Sequence, residues 1–105
     1  LLTQAVTKAV RSDMKDLTPR QFAILLNIRA GETTVRELAA LLNVGKPAVT
    51  RGTSTLVRYG FITKNTVPGD HRDRVLAVTD AGNEYIGRYA KMIFNWSASA
   101  TALAA

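Results

Sequence analysis

The sequence of 105 residues contains no cysteine and a single histidine, His71. Without cysteine, it cannot form disulfide bonds, thiolate metal sites or thiol redox switches, and one histidine excludes a multi-histidine zinc site. No apolar run reaches the roughly 18 residues that a membrane-spanning helix needs. Residues 1–10 also lack the basic-then-apolar order of a signal peptide. We therefore expect a protein without a cofactor, a bound metal or a membrane segment.

What the sequence does contain is basic charge and enough apolar material for one core. Lys and Arg number 14 against 8 Asp and Glu, for a formal charge of +6, and 47% of the residues are hydrophobic. The length predicts one domain over 1–105, with 2–16 and 80–100 as flanking helices. Basic domains of this size tend to bind polyanions, either nucleic acid or an anionic membrane.

Apolar spacing and capping residues predict the helices in the N-terminal part of the chain. An amphipathic helix is expected over 2–14. Thr18-Pro19 begins a second helix, which is apolar around most of its circumference and ends at Gly31. Since such a helix has few polar positions to face water, we expect it to be the buried central helix.

Two short helices follow and are joined by a tight turn. Thr34 is expected to cap the first, and Asn43-Val44-Gly45 interrupts it. Lys46-Pro47 then starts a helix that runs to about Arg58 and stops at Gly60. A pair of short helices around a turn that contains glycine is the outline of a helix-turn-helix.

The pattern then changes from helical to extended. Phe61 to Lys64 and Val75 to Val78 read as two strands, with a turn signal at Pro68-Gly69 between them. The expected product is a hairpin with a long charged tip from Thr66 to Arg74. Thr79 should cap a last helix. The fold class is therefore mainly α with one small β-hairpin.

The helix over 46–58 carries three basic residues and no acidic residue. Its inward positions are Val49, Gly52, Thr53, Leu56 and Val57, and its outward stripe consists of Lys46, Pro47, Thr50, Arg51, Ser54 and Arg58. A merely solvated helix face usually mixes charges of both signs. Cations and small hydroxyls without carboxylates suit a surface that meets DNA, where an α-helix fits the major groove. The alternative is a solvated basic helix without function.

The hairpin tip adds to this positive charge. Residues 43–75 carry a net charge of +4, most of the charge of the chain. A hairpin beside a recognition helix can follow the DNA backbone or place an arginine in the minor groove. We expect Arg72 or Arg74 to contact DNA and Asp70 to brace the loop, with His71 solvated. The alternative is that Asp70 and Arg72 only pair to hold the turn.

Several segments together resemble the MarR family of bacterial winged-helix transcription regulators. They are Leu17-Thr18-Pro19-Arg20-Gln21-Phe22, Val35-Arg36-Glu37-Leu38-Ala39, Pro47-Ala48-Val49-Thr50-Arg51, Leu56-Val57-Arg58-Tyr59-Gly60-Phe61-Ile62, Pro68-Gly69-Asp70-His71-Arg72 and Val78-Thr79-Asp80-Ala81-Gly82. Each is short, but their order and spacing are more specific than any one of them. The resemblance covers roughly Leu17 to Gly82.

The resemblance implies a winged helix-turn-helix flanked by N- and C-terminal helices. It makes 46–58 the recognition helix, 62–78 the wing, and Arg72 a minor-groove or backbone contact. It further implies a cytoplasmic homodimer on a pseudo-palindromic operator, joined through its terminal helices and responsive to a small aromatic effector. Gly45 stands where the family often has a capping serine, so we expect a weaker start to the recognition helix.

Three other functions are alternatives to DNA binding. A protein-interaction module built on the same fold would need an exposed apolar patch where the sequence places cations. An enzyme is not expected, because the glycines lack phosphate-loop spacing and no Ser/His/acid set converges. A membrane-surface helix would need large aromatic residues opposite the basic stripe, which are missing.

The last helix carries most of the aromatic residues, namely Tyr85, Tyr89, Phe94 and Trp96. Together with Ile86, Ile93 and the apolar side of 2–10, they could form a two-fold interface. Packing inside the monomer core and lining of an effector pocket are the alternatives. The sequence leaves all three open.

Overall fold

The computed structural model describes residues 2–31, 34–67 and 70–104, and within these the side chains of residues 2, 66–67, 70–74 and 95–104 are not described. In these residues, five helices and one hairpin follow in the order α1 (Leu2–Arg11), α2 (Pro19–Ala30), α3 (Val35–Leu42), α4 (Lys46–Arg58), β1 (Ile62–Val67), β2 (Asp70–Val78) and α5 (Asp80–Ala104). The predicted mainly α class with one antiparallel hairpin is confirmed. Residues 68–69, where the turn was predicted, lie outside the described residues.

The chain divides into two compact units, of which Leu17–Asn83 is the larger. Within it, α4 packs against α2, α3 and β1, and β2 packs against α2 and α3. The fully buried side chains come from every one of these elements: Ile24 and Leu25 of α2, Leu38 of α3, Val49, Thr53 and Leu56 of α4, Ile62 of β1, and Leu76 of β2. One apolar core therefore holds the helices and the hairpin of this unit together.

Helix α2 begins and ends where its capping residues predict. The Thr18 hydroxyl accepts a hydrogen bond from the Gln21 amide at 3.1 Å, and the Gln21 side chain accepts one from the Thr18 amide at 2.9 Å. This reciprocal pair satisfies two backbone donors that a helix start otherwise leaves unpaired. At the other end, Gly31 has φ 124°, a conformation that residues other than glycine rarely adopt.

The turn between α3 and α4 is tight because one residue takes the left-handed conformation. Asn43 ends α3 with φ 54° and ψ 46°, and asparagine tolerates this region better than most residues do. The Thr34 hydroxyl caps the start of α3 by accepting from the Glu37 amide. By contrast, Gly45 precedes α4 without any side-chain cap, and the weaker start expected for that helix stays a prediction.

Helices α2 and α4 approach each other closely at Gly52. A β-carbon at this position would lie 2.7 Å from Cδ1 of Ile24, which is itself completely buried. The absence of a side chain at Gly52 therefore allows the two helices to pack at this short distance. A glycine in the middle of a helix normally costs about 1 kcal/mol relative to alanine, and here the close packing explains its presence.

The two strands of the hairpin are longer than the sequence pattern predicts. The strands pair in register from Ile62 with Val78 to Thr66 with Arg74, and then Val67 pairs with Asp70. The predicted loop from Thr66 to Arg74 is therefore wrong, because most of that segment belongs to the strands. Charged residues are tolerated in a two-stranded sheet, whose strands are both edges and need not bury both faces.

The register also shifts within the wing. The shift falls between Thr66 and Val67, so 71–73 lie between two consecutive pairs of β2 with β1. Extra residues of this kind bend a strand and increase its local twist. The backbone of Arg72 therefore belongs to an irregular part of β2, and that of Arg74 to the last regular pair before it.

The start of α5 is tied to the residues that follow α4. The Thr79 hydroxyl accepts a hydrogen bond from the Gly82 amide at 3.1 Å and donates one to the Gly60 carbonyl at 2.5 Å. The Thr79 amide donates to the Phe61 carbonyl at 3.0 Å. A β-carbon at residue 82 would overlap the Phe61 carbonyl oxygen and lie 2.8 Å from Cγ1 of Val78. The Thr79–Gly82 pair thus fixes the point where the chain leaves the hairpin.

The second unit comprises Leu1–Asp16 and Glu84–Ala105. Helix α1 ends at Arg11, earlier than predicted, and the Ser12 hydroxyl then donates to the Ala9 carbonyl. The Tyr85 hydroxyl donates to the Lys15 carbonyl at 2.6 Å, and Arg88 pairs with Asp13 at 2.9 Å. The hydrogen bond and the charge of Arg88 lower the pKa of the exposed Asp13 carboxyl. These contacts link the segment after α1 to the first turns of α5 within this unit.

The terminal helix is longer than the predicted range of 80–100, and some of its apolar residues are buried while others are exposed. It continues through the Ala- and Ser-rich tail to Ala104. Tyr85 and Ile86 are buried, which favours core packing for these two residues, whereas Ile93 and Phe94 are exposed. The side chain of Trp96 lies outside the described residues. Across the part of the chain that the structure describes, no helix has the length and hydropathy to cross a membrane.

Candidate nucleic-acid interface

Helix α4 presents the predicted stripe to solvent. All six residues of this stripe, the α4 stripe, are exposed: Lys46, Pro47, Thr50, Arg51, Ser54 and Arg58. The opposite side of the helix is buried through Val49, Gly52, Thr53 and Leu56. The helical period of about 100° per residue places five of the six opposite the buried side, whereas Lys46 lies on the side of Thr53 and is exposed in the first turn of the helix. A cationic surface without carboxylates therefore stands on a rigid, well-packed element.

Val57 is the one residue of α4 whose predicted orientation is wrong. It was expected to face inward, but 41% of it is exposed. At 100° per residue, Val57 lies roughly 90° around the helix from the centre of the buried face, and so at its rim. An apolar residue at the rim is partly covered by neighbours on one side only.

Two hydroxyls of the α4 stripe are available for intermolecular hydrogen bonds. The neighbouring threonines bond within the helix, Thr53 to the Thr50 carbonyl at 3.0 Å and Thr55 to the Arg51 carbonyl at 3.2 Å. The hydroxyls of Thr50 and Ser54 have no such partner among the described residues. They can therefore donate to, or accept from, a base edge or a phosphate.

The cations at the two ends of the stripe differ in their surroundings. The guanidinium carbon of Arg58 lies 5.9 Å from the centre of the Tyr59 ring, within the range of a cation–π contact. Lys46 lies in the first turn of α4. Its flexible ammonium is a point charge that suits a phosphate better than a base edge.

The hairpin residues predicted to contact DNA belong to β2. Asp70, Arg72 and Arg74 all lie in this strand, but their side chains lie outside the described residues. The ion pair of Asp70 with Arg72 and the DNA contacts of both arginines therefore remain predictions. Lys64 adds a half-buried cation on β1, opposite Leu76.

A cleft lies beside the α4 stripe and was not predicted from the sequence. It has a volume of about 400 Å³ and is lined by Thr18, Pro19, Arg20, Gln21, Ala48, Arg51, Gly52 and Thr55. It thus brings the first turn of α2 against one flank of α4, and Arg51 belongs both to the cleft and to the α4 stripe. No sequence signal reveals Arg20 as a neighbour of Arg51, because their proximity depends on how α2 packs on α4.

Metal chemistry has no candidate ligand set in the described part of the chain. No three His, Asp or Glu side chains cluster there as metal ligands would.

A helix-turn-helix followed by a β-hairpin defines the winged-helix class of proteins. A sequence profile of the MarR family matches residues 15–73, more than half of the chain. The chain belongs to the MarR family. The match spans α2, α3, α4 and the first part of the hairpin, and so includes the whole α4 stripe.

Solved structures agree with this assignment. The chain is similar to the transcriptional regulator Tm0710 from Thermotoga maritima, with 32% identity, 81% of this chain and 61% of that chain covered, and a TM-score of 0.72. It is also similar to a cysteine mutant of MarR from E. coli complexed with operator DNA. The identity is 29%, the match covers 74% of this chain and 56% of that chain, and the TM-score is 0.69.

A more distant structure shows the same fold over almost the entire chain. The match to a mutant of MepR from S. aureus covers 97% of this chain and 74% of that chain, with a TM-score of 0.81 and 18% identity. The predicted winged helix-turn-helix with flanking helices is thereby confirmed. The chain spans only 61% and 56% of the lengths of Tm0710 and of the DNA-bound MarR. No curated protein matched the sequence.

Proposed function

We propose that this protein is a sequence-specific, double-stranded DNA-binding transcription regulator. Helix α4 enters the major groove, and the hairpin over 62–78 contacts the minor groove or the backbone beside it. The observation that carries the proposal is the α4 stripe, which is exposed along its whole length and contains three cations and no acid. The operator-bound MarR structure, a relative with the same fold, supports it.

The chemistry of the stripe separates two kinds of contact. Arg51 projects from the middle of the helix between Thr50 and Ser54, where it can bond a guanine edge with two N–H donors. Lys46 and Arg58 lie at the two ends of α4, nearer to where the strands of a duplex flank the groove. These end residues are proposed to position the helix on phosphates, and Arg51 with the hydroxyls to read bases.

We further propose that the regulator binds as a homodimer to a pseudo-palindromic operator. Apolar residues of the terminal helices support a self-interface, since Val6, Val10, Ile93 and Phe94 are each about half or more exposed. A two-fold dimer would present two copies of α4 one turn of DNA apart. Release by a small aromatic effector remains a prediction.

In vitro selection from a random duplex library at fixed salt tests the proposal. Wild-type protein should enrich a palindrome whose half-sites are about 10 base pairs apart, centre to centre. The Arg51→Ala variant, selected in parallel, should lose preference at one base pair in each half-site and bind the wild-type site more weakly by about 1–3 kcal/mol.

Two outcomes would contradict the proposal. The first is a wild-type pool without any enriched motif, and the second is an Arg51→Ala pool identical to that of the wild type. If Arg51→Glu instead destroyed a protein complex while DNA binding persisted, the fold would serve as a protein-interaction module.

A further inference from the structure

The cleft between α2 and α4 lies next to the proposed recognition surface but is not part of it. On α4 it is lined by Ala48, Gly52 and Thr55, which share one flank of the helix with Arg51. A liquid water occupies about 30 Å³, so a cleft of about 400 Å³ has room for a phosphodiester group together with solvent. Arg51 belongs to both the cleft and the α4 stripe, so the two surfaces are continuous.

The charge of the cleft is entirely positive. Arg20 is exposed in the first turn of α2, and Arg51 is exposed across the cleft on α4. Its other lining residues are neutral, and no described carboxylate forms an ion pair with either arginine. Two guanidinium groups on facing helices, without a carboxylate between them, attract an anion that lies between or above them.

The first backbone amides of α2 supply little of this attraction. Pro19 has no amide hydrogen, and the amides of Gln21 and Phe22 already donate to Thr18, so of the first four residues of α2 only Arg20 has an amide without a partner among the described residues. On the α2 side of the cleft, the charged donor is therefore the Arg20 side chain. The Thr55 hydroxyl is directed to the Arg51 carbonyl, which leaves the guanidinium groups as the principal donors.

We infer that Arg20 binds a backbone phosphate of the DNA whose major groove holds α4. This inference rests on the proposed function and extends its contact surface from α4 to the first turn of α2. When α4 occupies the groove, one sugar–phosphate strand must pass along each flank of the helix. The flank that faces α2 carries the cleft, so the strand on that side meets Arg20. The contact fixes register and contributes affinity without reading sequence.

The test compares Arg20→Gln with Arg29→Gln at several salt concentrations. Both arginines are exposed on α2, but Arg29 lies roughly 13 Å along the helix from Arg20, so its substitution is the matched control. The probes are the duplex selected by the wild type and a scrambled duplex of equal length. Arg20→Gln should weaken binding to both by the same factor, about three- to tenfold at low salt. It should also reduce the log–log salt slope by about 0.9 for each phosphate that Arg20 neutralises in the wild type. Arg20→Lys should retain most of the slope.

The possible results are distinct. Equal affinities and salt slopes for Arg20→Gln and Arg29→Gln would overturn the inference while leaving wild-type DNA binding, and hence the proposed function, intact. A changed base preference in Arg20→Gln would overturn it too, because a phosphate contact carries no sequence information. If the wild type itself bound no duplex, both the inference and the proposed function would fail.

Discussion

The Arg51→Glu variant should bind the selected operator roughly 100-fold or more weakly than the wild type. Loss of an arginine that bonds a base costs about 1–3 kcal/mol, and the new carboxylate adds repulsion from the phosphates. The exposed position of Arg51 on a helix whose other side is buried makes the effect one of binding rather than folding. Fluorescence anisotropy with the labelled operator would measure it.

Arg29→Glu is the matched control for this substitution. It makes the same change in charge at another exposed arginine of the Leu17–Asn83 unit, and it should alter operator affinity only slightly through the net charge. If both variants bound the operator equally weakly, the effect would be one of overall charge, and Arg51 would have no special role in recognition.

Gly82→Ala should destabilise the protein by about 1–3 kcal/mol, because overpacking of a well-packed site typically costs this much. The added methyl group would collide with the Phe61 carbonyl, which already accepts from the Thr79 amide, and with the side chain of Val78. The Phe61 carbonyl cannot move away without weakening the hydrogen bond that it accepts from the Thr79 amide. Urea denaturation followed by circular dichroism should show a lower midpoint.

Gly87→Ala provides the control on the same helix. A β-carbon at Gly87 meets no atom within 4 Å, so the change should raise stability by up to about 1 kcal/mol through helix propensity. Because the two substitutions should change the free energy of unfolding in opposite directions, they distinguish the effect of close packing from that of helix propensity. A Gly82→Ala protein as stable as the wild type would refute the packing that we assign to this position.

The helices of the Leu17–Asn83 unit were predictable because their boundaries are set locally. Thr18, Gly31 and Asn43 act through hydrogen bonds or φ angles within a few residues of the helix ends. Most of the α4 stripe was predictable for the same reason, since the helical period fixes which residues lie opposite Val49 and Leu56, although Lys46 does not. Such features need no knowledge of the neighbouring elements.

The errors occurred where the result depends on packing or on strand pairing. Val57 has the apolar character of a core residue, yet it lies at the rim of the buried face and is 41% exposed. The charges between Thr66 and Arg74 resemble a loop, but main-chain pairing extends both strands into that segment. Side-chain composition predicts strand ends poorly when both strands of a hairpin are edges.

The cleft illustrates the limit of inference from sequence. Arg20 and Arg51 are far apart in the chain, and only the close approach of α2 and α4 at Gly52 makes them line one cleft. A glycine within a helix that otherwise carries no turn signal was the available hint of close packing. It could not indicate which residues of α2 would be brought beside α4.

The salt dependence of operator affinity tests the central claim most directly. If the α4 stripe binds phosphates and bases, the logarithm of the association constant should fall linearly with the logarithm of salt concentration. Neutralisation of two phosphates by Lys46 and Arg58 alone gives a slope of about −1.8, and binding by Arg20, the hairpin or a second subunit makes it steeper. A slope near zero for wild-type protein on its selected duplex would contradict the account.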